Sequence, residues 1–246
     1  MRIQSYLAEN GVFAPPILAG PVALGQGFAT VERFCDAGAT ADAHNTDVRR
    51  ALAKSLFTVV SACDRFVPST SLEPALLASA CGTLWPKPHS KLFDFAATSA
   101  GAEWIDEVAA LARAQMAPAG RRVIGHGDWR QEHVRFIGNE PVVDSLCCEL
   151  EPALVGAAAH GFCADWSRAD RRQAPTLEEA RAFKSAYEDA RGMMFSSNER
   201  RLCGAAFTYA CAYTARCGHA GGADERTRDG TFQHLVWNER EKLLDL

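Results

Sequence analysis

The run Val123-Ile124-Gly125-His126-Gly127-Asp128-Trp129-Arg130-Gln131-Glu132-His133-Val134-Arg135-Phe136 holds the residues best suited to chemistry in this chain. One glycine separates His126 from Asp128, between an apolar run and an alternating, strand-like run. A carboxylate on such a loop can face a hydroxyl nucleophile and accept its proton. His133 stands five residues after Asp128, and Asp144 follows one hairpin later. Phosphoryl transfer asks for such a set. It needs in-line positioning, a carboxylate to take the acceptor's proton, and ligands for the metal that holds the phosphates. The same four groups, His126, Asp128, His133 and Asp144, also have the ligand types of a hydrolytic site with metal-bound water as nucleophile. The plain alternative is an aspartate capping a turn beside a buried histidine.

The elements that must position this loop follow from periodicity and punctuation. A short helix over residues 1–10 stops at Gly11. Pro15-Pro16 forces extended chain, and two strands follow, Ile17–Pro21 and Phe28–Phe34, joined around Gly25-Gln26-Gly27. That glycine pair lacks a third glycine and a following helix, so it reads as a hairpin turn and not as a nucleotide loop. Helical spacing predicts helices over about 47–67 and 102–116. The stretch 68–100 is broken by prolines and rich in aromatics. Strands are expected at Arg122–Ile124, His133–Ile137 and Pro141–Val143, with Gly138-Asn139 turning between the last two. An apolar helix is expected over Pro152–Trp166. Thr176-Leu-Glu-Glu179 and Ser196-Ser-Asn-Glu199 are capping boxes opening two further helices, and the charged tail ends in a short one.

Composition narrows the function. The chain has 246 residues, 48% of them hydrophobic and 23% charged, with a formal net charge of −4. That suits a soluble globular protein with a sizeable core. No basic field exists to hold a nucleic-acid backbone, so no nucleic-acid partner is expected. No window has the length and apolarity of a signal peptide or membrane span, which makes the cytoplasm the expected location and excludes a membrane role. Nine cysteines are scattered without a Cys-x-x-Cys pair and read as small core residues in a reducing compartment. Cys211, Cys217 and His219 match no standard zinc spacing and read as helix packing. Asp165, Glu103 and Asp106 could receive a cationic acceptor, with a solvated helix face as the default for each. Glu151 could contact substrate, and suits a helix N-terminus equally well.

At the loop the residues resemble the aminoglycoside phosphotransferase family, a small-molecule branch of the protein-kinase-like fold. The family pattern is His-x-Asp-x-x-x-x-Asn, and His126 and Asp128 follow its spacing. Val31–Gly38 resembles the hinge between lobes. Leu84–Ser90, Phe93–Phe95, Gly101–Asp106, Leu154–Ala159 and Tyr213–Cys217 resemble later segments, so residues 5–220 can be followed. The resemblance implies an α+β, protein-kinase-like fold, with a small β-containing front lobe and hinge over 1–38. A mainly helical rear lobe over 39–246 would carry an inserted β-hairpin. It implies ATP and Mg²⁺ as cofactors and a small-molecule acceptor, an aminoglycoside or amino alcohol. It also implies Asp128 as base, His126 as its brace, Arg33, Phe34 and Cys35 at the adenine, and His133 and Asp144 at the metal.

Three departures define the question. His133 stands where the family has asparagine, and imidazole suits Mg²⁺ poorly. Glu140–Cys148 contains no Asp-Trp pair, where the family places its metal aspartate. The glycine-rich strands and the lysine that steady ATP have no counterpart here; the first of five lysines is Lys54. A degenerate, non-catalytic binding protein is therefore the alternative reading. An unpaired front sheet is expected to promote self-association.

Overall fold

The computed structural model describes residues 2–12, 14–25, 27–34, 38–67, 82–137, 140–142, 145–168 and 170–246. The chain is α+β, as expected. Its elements are α1 (Arg2–Glu9), β1 (Ile17–Leu24), β2 (Gly27–Glu32), α2 (Thr46–Ala62), α3 (Glu103–Ala114), β3 (Arg122–His126), β4 (Arg135–Ile137), β5 (Glu140–Val142), β6 (Leu146–Leu150), α4 (Glu151–Gly161), α5 (Leu177–Arg191), α6 (Ser197–Ala220) and α7 (Phe232–Glu239), with a final 3₁₀ turn at Leu243–Asp245. Among the described residues, three antiparallel two-stranded sheets form: β1 with β2, β3 with β6, and β4 with β5.

Local chemistry accounts for most helix boundaries. The Asn45 side chain accepts the Asp47 and Val48 amides and starts α2. Both capping boxes form: Thr176 with Glu179 opens α5, and Ser196 with Glu199 opens α6. Gly192 closes α5 in the left-handed conformation at φ 72°. Helix α6 is buried along most of its length and is the axis of the core. Helices α3, α4 and α7 pack around it, while α5 packs on α2 and α4, and α2 also packs on β3.

The crossing of α4 and α6 rests on one absent side chain. A Cβ on Gly156 of α4 would lie 2.2 Å from the Cys203 carbonyl oxygen and 2.9 Å from Ala206 Cβ, both on α6. Glycine lets the two backbones approach to that distance. Leu7 of α1 is 1% exposed and belongs to this main core, with the Tyr6 ring edge-on to Phe66. The β1–β2 ribbon is different. Its residues are largely exposed on both faces. The linker behind it touches the loop region where Ala39 bridges Phe136.

Two expectations needed correction. Leu146–Leu150 is a strand, β6, that periodicity did not reveal, because Leu-Cys-Cys-Glu-Leu neither alternates nor contains β-branched residues. Helix α4 ends at Gly161 and not at Trp166, because the Phe162 and Cys163 carbonyls are taken by Gln131 from the loop. Among the described residues, no helix is long and apolar enough to cross a membrane.

Candidate active site

The loop Gly127–Val134 leaves β3 and enters β4, and β6 secures its start. The pairing runs in register from Arg122 opposite Leu150 to His126 opposite Leu146. The Gly127 amide then extends the ladder by donating to the Ser145 carbonyl at 3.0 Å. Ser145 has φ 49°, in the left-handed region that non-glycine residues avoid. Glycine at 127 keeps this turn close to β6: a Cβ there would press on Cys147 Cβ at 3.2 Å and its Sγ at 3.3 Å.

His126 is 1% exposed. Its Nδ1 accepts the Asp128 backbone amide at 3.1 Å, and the Trp129 ring meets it edge-on at 5.1 Å. The histidine therefore shapes the turn that presents Asp128. Trp129 is buried beneath, and its Nε1 has no hydrogen-bond partner among the described residues.

The far side of the loop is locked by Gln131, a residue sequence reasoning did not single out. Its Oε1 accepts the Ala43 amide at 2.7 Å, and its Nε2 donates to the Cys163 carbonyl at 2.5 Å. Its own amide donates to the Phe162 carbonyl. One buried amide thus ties the loop to the linker before α2 and to the end of α4. A glutamine between charged residues carries no signal that it points inward, so only the fold could reveal this role.

Asp128 itself is half exposed. Its Oδ2 receives Arg130 Nη2 at 2.6 Å and lies 3.3 Å from His133 Nδ1. Among the described residues its Oδ1 has no partner. Arg130 also donates through Nη1 to Glu132 Oε1 at 2.7 Å. Glu132 accepts the Trp166 amide on its other oxygen at 2.8 Å. The stem of Arg130 crosses the end of α4, where a Cβ on Gly161 would meet its Cγ at 3.4 Å. His160 of α4 lies within the electrostatic reach of Asp128 and Arg130. Burial pushes it down to about 4, so it is neutral near pH 7. Its Nε2 pairs with Thr214 Oγ1 at 2.8 Å, and its ring lies 4.7 Å from Phe232.

His133 is committed to the loop. Arg130 Nη2 donates to its Nε2 at 3.0 Å, which places the ring proton on Nδ1, toward the Asp128 carbonyl at 3.3 Å. A metal on Nε2 would have to displace Arg130. Asp144 and Cys35 lie outside the described residues. Among the described residues, no group of three or more His, Cys, Asp or Glu side chains converges as a metal site. At the hinge, the Arg33 amide donates to the Pro16 carbonyl at 2.9 Å and is not available to an adenine. The Phe34 ring is 83% exposed.

The other candidate carboxylates lie in separate surroundings. Asp106 accepts Trp85 Nε1 at 2.9 Å and lies 3.5 Å from Arg216 Nε. Asp165 accepts the Ser167 amide and hydroxyl. Glu151 is fully buried between Arg121, Arg191 and the Tyr187 hydroxyl. Glu103 opens α3 at the surface. His219 pairs with the Ala100 carbonyl, away from any shared site with Cys211 and Cys217.

The site is thus a rigid loop on an antiparallel strand pair, between helices, presenting one carboxylate oxygen. No family model and no curated protein matches the sequence. Among solved structures, the chain is similar in shape to an ethanolamine kinase from Plasmodium vivax. The two are 17% identical, with a TM-score of 0.48, and the alignment covers 98% of this chain and 70% of that one.

Proposed function

We propose that this chain is a kinase-like small-molecule phosphotransferase that moves the ATP γ-phosphoryl group to a hydroxyl of an amino-alcohol or aminoglycoside acceptor. One observation carries the reading: Asp128 has one oxygen pinned by Arg130 and His133, and the other unpartnered among the described residues. Such a carboxylate is oriented without being consumed. The loop sequence His126-Gly-Asp128 supports the same role.

In this reading bound ATP supplies the electrophilic phosphorus. The acceptor hydroxyl lies against Asp128 Oδ1 and gives up its proton there as its oxygen bonds to the γ-phosphorus. The bond to the ADP oxygen breaks, and ADP leaves with the electron pair. Arg130 keeps the carboxylate from rotating, His126 holds the turn, and Gln131 keeps the loop from moving as a whole. Phe34 contributes its backbone to the adenine side.

The test is ADP release with a panel of amino alcohols and aminoglycosides, beside calorimetric titration with ATP with and without Mg²⁺. Asp128→Asn should lose about 10²–10⁴-fold in turnover at unchanged ATP affinity. An Asp128→Asn protein as active as the parent would remove the base assignment. A parent chain that neither turns over nor binds ATP would overturn the kinase reading. The second reading, a non-catalytic binding protein, would then hold. It is favoured by His133, whose Nε2 accepts Arg130 at 3.0 Å where the resembling family has a metal-binding asparagine, and by the exposure of Lys54, the first lysine of the chain, on α2.

A further inference from the structure

We propose that Glu132 is a positioning residue: it holds the Arg130 guanidinium at the angle from which Arg130 orients Asp128, a role that rests on Asp128 being the base of the phosphoryl transfer proposed above. The Glu132 carboxylate divides its two oxygens between the loop and the chain beyond α4. Oε1 accepts Arg130 Nη1 at 2.7 Å and lies 3.6 Å from His133 Nε2. Oε2 accepts the Trp166 amide at 2.8 Å, 34 residues further on. That amide is a fixed point outside the loop. Its neighbour, the Asp165 amide, donates to Gln173 Oε1 at 2.9 Å, and the Gln173 and Ala174 amides both donate to the Gly230 carbonyl ahead of α7. The Glu132 side chain is 16% exposed, so water competes little for either bond.

Arg130 needs that hold. Its Nη2 is shared by Asp128 Oδ2 and His133 Nε2, and its Nε is buried with no hydrogen-bond partner among the described residues. Asp128 is half exposed and holds a long side chain only weakly by itself. The guanidinium is a rigid plane, so anchoring Nη1 on Glu132 sets the direction from which Nη2 meets Asp128 Oδ2. With Oδ2 held, Oδ1 is the oxygen left for an acceptor hydroxyl. The loop backbone depends on Glu132 much less. Gln131 already ties it to Ala43, Phe162 and Cys163. A change at 132 therefore moves Arg130 before it moves the loop.

Glu132→Gln tests the role. An amide has one acceptor oxygen and one donor nitrogen, so glutamine can serve Arg130 or the Trp166 amide but not both. The assay uses ATP with the amino alcohol or aminoglycoside that the parent phosphorylates fastest. There kcat should fall about 10- to 100-fold, with KM for ATP within about twofold of the parent's. Glu132→Asp keeps two acceptor oxygens and should recover part of that loss; it also serves if the glutamine variant does not fold. Arg130→Met/Glu132→Gln should be no slower than Arg130→Met alone, because Glu132 acts through Arg130. A crystal structure of Glu132→Gln, which needs no turnover, should show the guanidinium displaced from Asp128 Oδ2 on an unmoved loop backbone. An inactive parent whose Glu132→Gln variant shows this displacement would end the kinase reading and still support the hold of Glu132 on Arg130. An Arg130 that stays in place in the variant overturns the proposal. So does an unchanged kcat, or a loss that adds in full to that of Arg130→Met.

Discussion

Arg130 Nη2 donates to Asp128 Oδ2 at 2.6 Å, so the one cation of the loop is bound to the carboxylate proposed as its base. The same guanidinium reaches Glu132 and His133, and its position relates the four residues to one another.

The pair should show measurable but modest coupling, since Asp128 is half exposed and Arg130 largely covered. A double-mutant cycle of Asp128→Asn and Arg130→Met in urea unfolding should give about 0.5–1 kcal/mol. Strict additivity of the two changes would mean the contact does not persist in solution.

Glu151 has 0% exposure and three partners: Arg121 Nε at 2.9 Å, Arg191 Nε at 3.3 Å and the Tyr187 hydroxyl at 2.8 Å. Removing the buried carboxylate strips the Tyr187 hydroxyl of its acceptor and leaves Arg121 and Arg191 only their outer partners, Asp64 and Glu199. Glu151→Ala should therefore cost about 3–5 kcal/mol. Chemical denaturation measures it, and a loss under about 1 kcal/mol would contradict the burial described.

Gly156→Ala should cost about 1–3 kcal/mol, and more if α4 and α6 cannot separate. The added carbon meets the Cys203 carbonyl, which is backbone and cannot rotate away. Gly192→Ala is the useful comparison. Nothing lies within 4 Å of its added carbon, so its cost comes from the left-handed φ of 72° alone. If the two variants melt alike, helix crossing distance is not what Gly156 protects.

His44 predicts a pH dependence. Its hydrogen bond to Glu179, 2.9 Å from Nδ1, raises it above 6.5 despite burial. Burial alone would raise Glu179, but the bonds from His44 and the Thr176 amide outweigh it and hold the carboxyl at about 2. Folded His44 binds its proton more tightly than the unfolded chain does. Its contribution is complete below the ordinary value of 6.5 and is lost as pH rises through the folded value. Glu179 has the opposite sign: its contribution is present above 4.5 and fades as pH falls toward 2. His44→Gln should lower Tm by about 2–4 °C near pH 5.5, with the difference narrowing near pH 8.5. A pH-independent difference would sink the assignment.

Much of this molecule is local enough to read from residue order. Asn45, Thr176 with Glu179, and Ser196 with Glu199 mark helix starts, because a cap is satisfied within four residues. Asp128 beside His126 was legible for the same reason: one glycine between them allows the imidazole to take the Asp128 amide. What the tertiary structure decided depends on partners distant in sequence. Leu146–Leu150 is a strand because β3 pairs with it, and α4 stops early because Gln131 claims the Phe162 and Cys163 carbonyls just beyond it. His133 serves the loop because Arg130 folds back over the end of α4. Glu151 is buried among two arginines and a tyrosine that lie 30 or more residues away. Spacing along a chain can nominate such groups. Whether a carboxylate faces solvent or an arginine is settled by which elements pack together, because burial and charge pairing are properties of the assembled core.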